Sequence, residues 1–190
     1  MSCSFTTLVS GLPRSGTSVM MQMLAAGGMA VMTDQARAPD ADNPRGYFEF
    51  EPVKTIQNDS SWLDQSAGKA VKMVHLLLMH LPAGRDYRVI FMRRDLDEVL
   101  ASQRKMLDRK NRAGARLPEA QLKALYEQQI GRVTSWLDAQ PNIRVLEVNY
   151  RQLIAQPAQI AAQVNAFLGG LLDESSMAAA VDPSLYRNRR

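Results

Sequence analysis

Short apolar runs alternate along this chain with longer segments in which apolar residues recur every three or four positions. The runs are typical of buried strands, and the longer segments are typical of amphipathic helices. Strands are predicted at residues 8–9, 69–74, 87–92 and 143–148, and residues 29–32 form either an edge strand or a pocket wall. Because strands and helices alternate, we predict an α/β fold, a single domain with three layers (α/β/α) around a central parallel sheet of four to five strands.

The predicted helices follow the strands along the chain. TSVMMQML begins one directly after the first strand, and Pro118 begins another that runs through Leu137. A third helix follows the strand at 87–92, with Asp95 or Asp97 as its cap. Ligands of such sheets bind at the carboxyl ends of the strands, so the loops that follow these strands are expected to open on one rim.

The strand, loop and helix at residues 6–26 have the form of a phosphate cradle. N–H groups in the first turn of a helix lack partners within the helix and point at an anion placed there. The loop almost matches GxxxxGK[ST], in which the lysine reaches the terminal phosphates of a nucleotide and the Ser/Thr holds Mg²⁺. Thr17 stands in place of that lysine, Arg14 is the cation of the loop, and the strand end FMRR carries no acidic metal ligand. The sequence therefore predicts an anion site without a metal ion.

A second anion site is predicted at Arg94, which ends the strand at 87–92 and precedes Ser102 by eight residues. About two helical turns, roughly 11–12 Å at ~1.5 Å per residue, separate the two positions, so a leaning arginine can share a phosphate with the hydroxyl. The spacing alone fits a surface arginine and a small helix residue equally well. The polar segment 33–50 is predicted to be a lid or acceptor loop, and residues 181–190 a tail.

Three segments together resemble the sulfotransferase family: LPRSGTS after a strand, FMRRDLDEVLAS, and VNYRQLIAQP followed by NAFLGG. The resemblance implies a fold like that of P-loop NTPases and 3′-phosphoadenosine-5′-phosphosulfate (PAPS) as co-substrate, with 3′-phosphoadenosine 5′-phosphate (PAP) as its product and no metal. It implies that Arg94 and Ser102 bind the 3′-phosphate. It places the 5′-phosphosulfate on Arg14, Ser15, Gly16, Thr17 and Ser18.

The same resemblance gives candidates for the chemistry. Lys72 is similar to a lysine near the transferring group, and Arg14 would neutralise charge on the phosphosulfate. Some members carry a histidine base in a KxH pattern, where this chain has Val74 and places His75 one residue later. Other members use a glutamate soon after the first helix. The nearest acids here are Asp34 and Glu49, which rank equally and ahead of His75.

Two further residues are expected at the nucleotide. Tyr150 occupies a position where members of the family often have Tyr-Glu, although Arg151 replaces the glutamate here. Arg187 belongs to a basic tail that could fold over the nucleotide, with a solvated tail as the alternative.

The composition of the chain limits the classes of molecule that it is expected to bind. The net charge of +4 and the pI near 9.4 suit an anionic ligand, but the charge does not form the stripe of a nucleic-acid-binding protein. The single cysteine, Cys3, excludes an internal disulfide, and no signal peptide or apolar run of ~18 residues is visible. We therefore expect a cytoplasmic protein that acts on a small-molecule or peptide acceptor and has no nucleic-acid or membrane partner. The sequence is also compatible with a homodimer.

Three functional hypotheses remain open at this point. The first is an enzyme, a PAPS-dependent sulfotransferase that acts on a hydroxyl or amine without a metal ion. The second is a P-loop nucleotide kinase or NTPase with a degenerate loop, against which Thr17 and the missing metal acid count. The third is a nucleotide-binding protein without catalysis.

Overall fold

The computed structural model describes residues 5–34, 46–109 and 117–185. Its centre is a sheet of five parallel strands in the order β2-β3-β1-β4-β5. The strands are β1 (Thr6–Gly11), β2 (Ala30–Val31), β3 (Lys69–Val74), β4 (Tyr87–Arg93) and β5 (Ile143–Asn149). The predicted α/β fold with a parallel sheet is confirmed, and the short run at 29–32 contributes the edge strand.

Six α-helices and four short 3₁₀ segments connect the strands within the described residues. The helices are α1 (Thr17–Ala26), α2 (Leu96–Arg109), α3 (Glu119–Asp138), α4 (Tyr150–Ala155), α5 (Pro157–Leu168) and α6 (Glu174–Ala179). The 3₁₀ segments are Glu51–Thr55, Ser61–Gln65, His75–His80 and Pro183–Leu185. Pro118 is the N-cap of α3, as the sequence predicts, whereas α6 was not predicted.

Two apolar layers cover the two faces of the sheet. On one face α1, α4, α5 and α6 pack around side chains such as Met20, Met21 and Leu153. On the other face α3 and the first three 3₁₀ segments pack around Phe91 and Val133. This is the predicted three-layer arrangement, and it leaves the ends of the strands open for a site.

The carboxyl ends of the central strands lie side by side. Gly11 at the end of β1 is in register with Val74 of β3 and with Met92 of β4, and Met92 is in register with Val148 of β5. The loops that follow β1, β3 and β4 therefore open on the same rim, as predicted. Of the predicted lid at 33–50, residues 35–45 lie outside the described residues, as do residues 186–190 of the tail.

Within the described ranges no helix combines the length and apolar character needed to cross a membrane.

Candidate functional site

The loop between β1 and α1 depends on two glycines. Gly11 and Gly16 both have positive φ, 146° and 101°. A Cβ at Gly11 would lie 2.6 Å from Ser15 Oγ and 2.7 Å from the Met92 carbonyl oxygen, and a Cβ at Gly16 would overlap the ring of Tyr150. Only glycine fits such close approaches. The loop is thus held against the end of β4 and the start of α4.

Arg14 links this loop to α2. Its backbone is in the left-handed region at φ 74°, which is uncommon for a residue other than glycine and is found where the surrounding structure enforces it. Its Nε donates a hydrogen bond of 3.0 Å to Ser102 Oγ. Thr17 and Ser18 form the first turn of α1, and the N-cap Gly16 offers that turn no side-chain hydrogen bond. The β1–α1 loop thus places Arg14, which reaches α2, shortly before the positive end of α1.

Arg94 connects the two predicted anion sites. Its Nη1 donates to the Arg14 carbonyl oxygen at 3.0 Å, and its Nε donates to Glu98 Oε2 at 3.0 Å. The side chains of this ion pair are only 8% and 5% exposed. The structure thus brings Arg14, Arg94 and Ser102 together, although they are far apart in the sequence.

Tyr150 forms the wall between Arg94 and the loop. Its ring centroid lies 4.6 Å from the Arg94 guanidinium carbon, a cation–π contact. Burial raises the pKa of the Tyr150 phenol, against the opposing effect of the Arg94 and Arg14 charges. Asn149 fixes the position of the ring, because its Oδ1 accepts hydrogen bonds from the N–H groups of Arg151 and Gln152 and so caps α4.

Lys72 lies on β3, in register with Val9 of β1. Its Nζ donates a hydrogen bond to the Tyr47 carbonyl oxygen and lies 5.9 Å from the centroid of the Tyr47 ring. The next residue, Phe48, has φ 51°, a left-handed conformation that is rare for a bulky aromatic residue. Lys72 is therefore joined to the segment that carries the predicted base Glu49.

Asp34 and Glu49 lie in two segments that are hydrogen-bonded to each other. The Asp34 N–H donates to the Glu49 carbonyl oxygen at 3.2 Å, and Thr33 Oγ1 donates to the same oxygen at 3.0 Å. Asp34 Oδ2 accepts from the Glu51 N–H at 2.6 Å. The structure thus places the two predicted acids beside each other, with Asp34 exposed and Glu49 half-buried.

His75, the third candidate base, is buried against α3. It is 3% exposed, and its Nε2 lies 3.1 Å from Gln129 Oε1 on α3, on the opposite face of the sheet from α1. Burial lowers the pKa of His75, and its contacts with Gln129 and with the Gly11 backbone oppose that effect. Val74, one residue earlier, is 46% exposed at the rim. His75 follows by one residue the position that the KxH pattern gives to the histidine, and it therefore lies in the core, whereas Val74 lies at the rim.

Sequence reasoning missed two contributors to the site. Glu98 follows Arg94 by four residues, a spacing that places side chains on one face of a helix and could have indicated the ion pair. Tyr47 has no such signal, because a backbone carbonyl that binds Lys72 depends on tertiary folding. Arg187 lies outside the described residues.

Comparison with known sequences identifies a family. A sequence model of the sulfotransferase family matches residues 47–174, which include β3, β4, α2, β5 and α4. A search of curated protein sequences finds no match to this chain.

Solved structures are similar to this chain at low sequence identity. The sulfotransferase domain from the curacin biosynthetic pathway superposes with a TM-score of 0.52 at 17% identity, over 97% of this chain and 90% of that one. Mouse sulfotransferase SULT7A1, solved in complex with PAP, has a TM-score of 0.48 at 15% identity, over 93% of this chain and 62% of that one. A sugar kinase from Janibacter sp. has a TM-score of 0.43 at 12% identity, over 94% and 99%.

The family match covers more than half of the chain and includes the strand end that carries Arg94, together with Ser102 and Tyr150. The fold agrees with it, since the curacin domain superposes over nearly the whole length of both chains. This chain belongs to the sulfotransferase family.

Proposed function

We propose that this protein transfers the sulfuryl group of PAPS to a hydroxyl or amine acceptor. The observation that carries the proposal is the hydrogen bond between Arg14 of the β1–α1 loop and Ser102 of α2, with Arg94 bound to the Arg14 carbonyl oxygen. A ligand with one anionic group at the loop and another beside Arg94 and Ser102 suits this arrangement. PAPS carries its charged groups at both positions, whereas ATP carries none at the 3′ position.

In the proposed donor site, Ser15, Gly16, Thr17 and Ser18 surround the 5′-phosphosulfate, and Arg94 with Ser102 binds the 3′-phosphate. Tyr150 lies against Gly16 and Arg94 and forms a wall of the nucleotide site. The resemblance to the family remains the basis for assigning Arg187 to the nucleotide.

In the proposed reaction the acceptor oxygen or nitrogen attacks the sulfur in line with the leaving group. The bond between sulfur and the bridging oxygen of the 5′-phosphate breaks, PAP leaves, and the proton of the acceptor passes to a general base. Negative charge grows on the leaving phosphate, where Arg14 and the N-terminus of α1 stabilise it. Lys72 approaches the same rim from β3. Positioning and charge stabilisation account for the catalysis, and no metal ion has a role.

Glu49 is the base that we favour. Asp34 uses its carboxylate to hold the Glu51 N–H, and His75 is buried against α3. Glu49 follows Phe48, whose left-handed backbone sets the direction of the chain after the Lys72-bound Tyr47. Strained residues of this kind concentrate at functional sites.

The test is PAPS turnover over a panel of hydroxyl and amine acceptors, with product sulfate ester or sulfamate and PAP both measured. Removal of a general base typically costs about 10²–10⁴-fold in rate, so Glu49→Gln should lose activity by that factor. Glu51→Gln is the matched control in the same segment, and Asp34→Asn and His75→Gln test the other candidates. Turnover should persist in EDTA. If Glu49→Gln is as active as Glu51→Gln, Glu49 is not the base, and if no acceptor is sulfated, the proposed activity is wrong.

A further inference from the structure

A cavity of about 300 Å³ lies on the α3 side of the β1–α1 loop. The loop, the end of β4, the start of α2 and the middle of α3 form its walls. Arg94 contributes to one wall, but its Nη1 turns to the Arg14 carbonyl oxygen and its ring contact is with Tyr150, outside this cavity. The cavity thus adjoins the proposed nucleotide site, with which it shares Ser15 and Arg94, and extends from there towards α3.

Two hydrogen-bond donors in its walls have no partner among the described residues. Ser15 is 1% exposed, and its Oγ forms no hydrogen bond in the described part of the chain. Nη1 of Arg93 is also buried without a hydrogen-bond partner there. The other contacts of Arg93 are loose, since its Nε lies 3.7 Å from Glu147 Oε2 and its guanidinium carbon lies 5.8 Å from the Phe91 ring centroid.

Buried donors without partners are costly, and native proteins rarely retain them unless a ligand or water satisfies them. A hydroxyl and a guanidinium that line one cavity together favour an occupant with acceptor oxygens and negative charge. The rest of the wall is largely apolar, with Leu12, Met92, Leu96 and Ile130. Glu127 is an exposed carboxylate at the mouth, where solvent screens its charge.

We propose that this cavity binds a small organic carboxylate, with its charged end on Arg93 and Ser15 and its apolar part against α3. The volume is at the lower end of the ~300–1,000 Å³ of small-molecule sites, so the ligand is a compact molecule rather than a peptide segment. Ser15 belongs to the loop that holds the phosphosulfate in the proposed function. An occupant of the cavity therefore contacts the same loop as the nucleotide of the proposed function.

Gly131 of α3 allows the cavity to be closed without damage to the fold. It lies at the exposed edge of the cavity, and a Cβ built on it meets no atom within 4 Å. Gly131→Leu should therefore fill the mouth while α3 is kept, since leucine also has a higher helix propensity than glycine. Gln128→Leu adds the same side chain at an exposed position of α3 outside the cavity walls and is the matched control.

The experiment is a ¹H–¹⁵N NMR titration of the whole chain, saturated with PAP, with two matched pairs of probes: benzoate and benzamide, and hexanoate and hexanamide. A charge-assisted hydrogen bond favours the carboxylate over its neutral amide by about tenfold or more, and the shifts should centre on the amides of Gly131 and Thr134. Arg93→Gln should remove the preference for carboxylates, and Gly131→Leu should abolish binding, whereas Gln128→Leu should bind as the wild type does.

Three results would overturn the proposal: no binding by either carboxylate, equal affinity for carboxylate and amide, or an unchanged preference in Arg93→Gln. The affinity for PAP is measured separately in each variant and should change by less than about twofold, because neither Arg93 nor Gly131 belongs to the proposed nucleotide site. If the wild type does not bind PAP, the proposed function is contradicted. The probe titration carried out without PAP then still tests the proposal for the cavity.

Discussion

At the scale of single residues, the pairing of Arg94 with Glu98 links stability to the site. Two charges that are almost completely buried stabilise each other only while both are present, and removal of one partner leaves the other desolvated. The same guanidinium holds the carbonyl oxygen of Arg14, so the pair also fixes the loop. Glu98 is therefore a positioning residue for Arg94 in the proposed 3′-phosphate site.

Arg94→Ala should lower the free energy of unfolding by about 3–5 kcal/mol, because it removes the positive charge that is paired with the buried Glu98 carboxylate. Urea denaturation at neutral pH measures the loss. The double variant Arg94→Met/Glu98→Leu, which replaces both charges by apolar side chains, should recover most of it. If the double variant is as unstable as Arg94→Ala, loss of the Arg94 hydrogen bond to the Arg14 carbonyl oxygen, which neither variant keeps, rather than the broken charge pair causes the loss.

His75 gives a prediction about pH. Its pKa in the folded protein is lowered by burial from an ordinary value near 6.5, so between these two values the unfolded chain binds more protons than the folded one. Stability is therefore fully present above about pH 6.5 and declines as the pH falls through that value. Unfolding free energies measured from pH 7.5 to pH 5 should show this decline.

The control for this prediction is His80, the other histidine of the sequence, which is exposed. His75→Gln should flatten the decline, and His80→Gln should leave it as in the wild type. An equal decline in the wild type and in His75→Gln would assign the acid sensitivity to other groups.

At the scale of elements, α2 carries Glu98 and Ser102 at fixed positions behind β4. Asp95 caps it, since its Oδ1 accepts hydrogen bonds from the N–H groups of Asp97 at 2.9 Å and Glu98 at 3.1 Å. Of the two aspartates that the sequence allows as this cap, Asp95 and Asp97, the structure uses Asp95. The capped first turn therefore helps to fix the positions of Glu98 and Ser102.

Asp95→Ala should lower the free energy of unfolding by about 1 kcal/mol and also weaken PAP binding, because the first turn of α2 loses its cap. Asp173 caps α6 through the N–H groups of Ser175 and Ser176, away from the site. Asp173→Ala should cost a similar amount of stability, measured by urea denaturation, without a change in calorimetric PAP affinity. An equal effect of both variants on PAP affinity would show that the cap of α2 has no specific role at the site.

The sequence predicted the elements whose pattern is local. The apolar runs located β1, β3, β4 and β5, because buried parallel strands lack the alternation that a surface would impose. The glycine loop could be recognised from its spacing, whereas Arg94 and Ser102 became favoured candidates only through the resemblance to the family. The link from Lys72 to Tyr47 and the placement of His75 against Gln129 could not, since both depend on contacts between distant segments. The choice between Asp34 and Glu49 as the proposed base likewise depends on the tertiary contacts of their segments, which the sequence does not reveal.

At the scale of the whole molecule, the parallel sheet brings residues from three strands and the loops after them towards one rim. Arg14 follows β1, Lys72 lies near the end of β3, and Arg94 follows β4. The sheet order places β1 between β3 and β4, so the β1–α1 loop lies between the Lys72 side and the Arg94 side. In the proposed function this strand order sets the direction in which the nucleotide lies across the site. The 3′-phosphate is on the β4 side, and the transferring sulfuryl group faces β3.

The most direct measurement of the central claim is a calorimetric titration with PAP, adenosine 5′-phosphate and Mg-ATP. We predict that PAP binds roughly tenfold or more tightly than adenosine 5′-phosphate, since charge-assisted contacts to the 3′-phosphate are worth about 1.5–3 kcal/mol. The Arg94→Met/Glu98→Leu variant should lose that preference. Submicromolar binding of Mg-ATP with no binding of PAP would contradict the account.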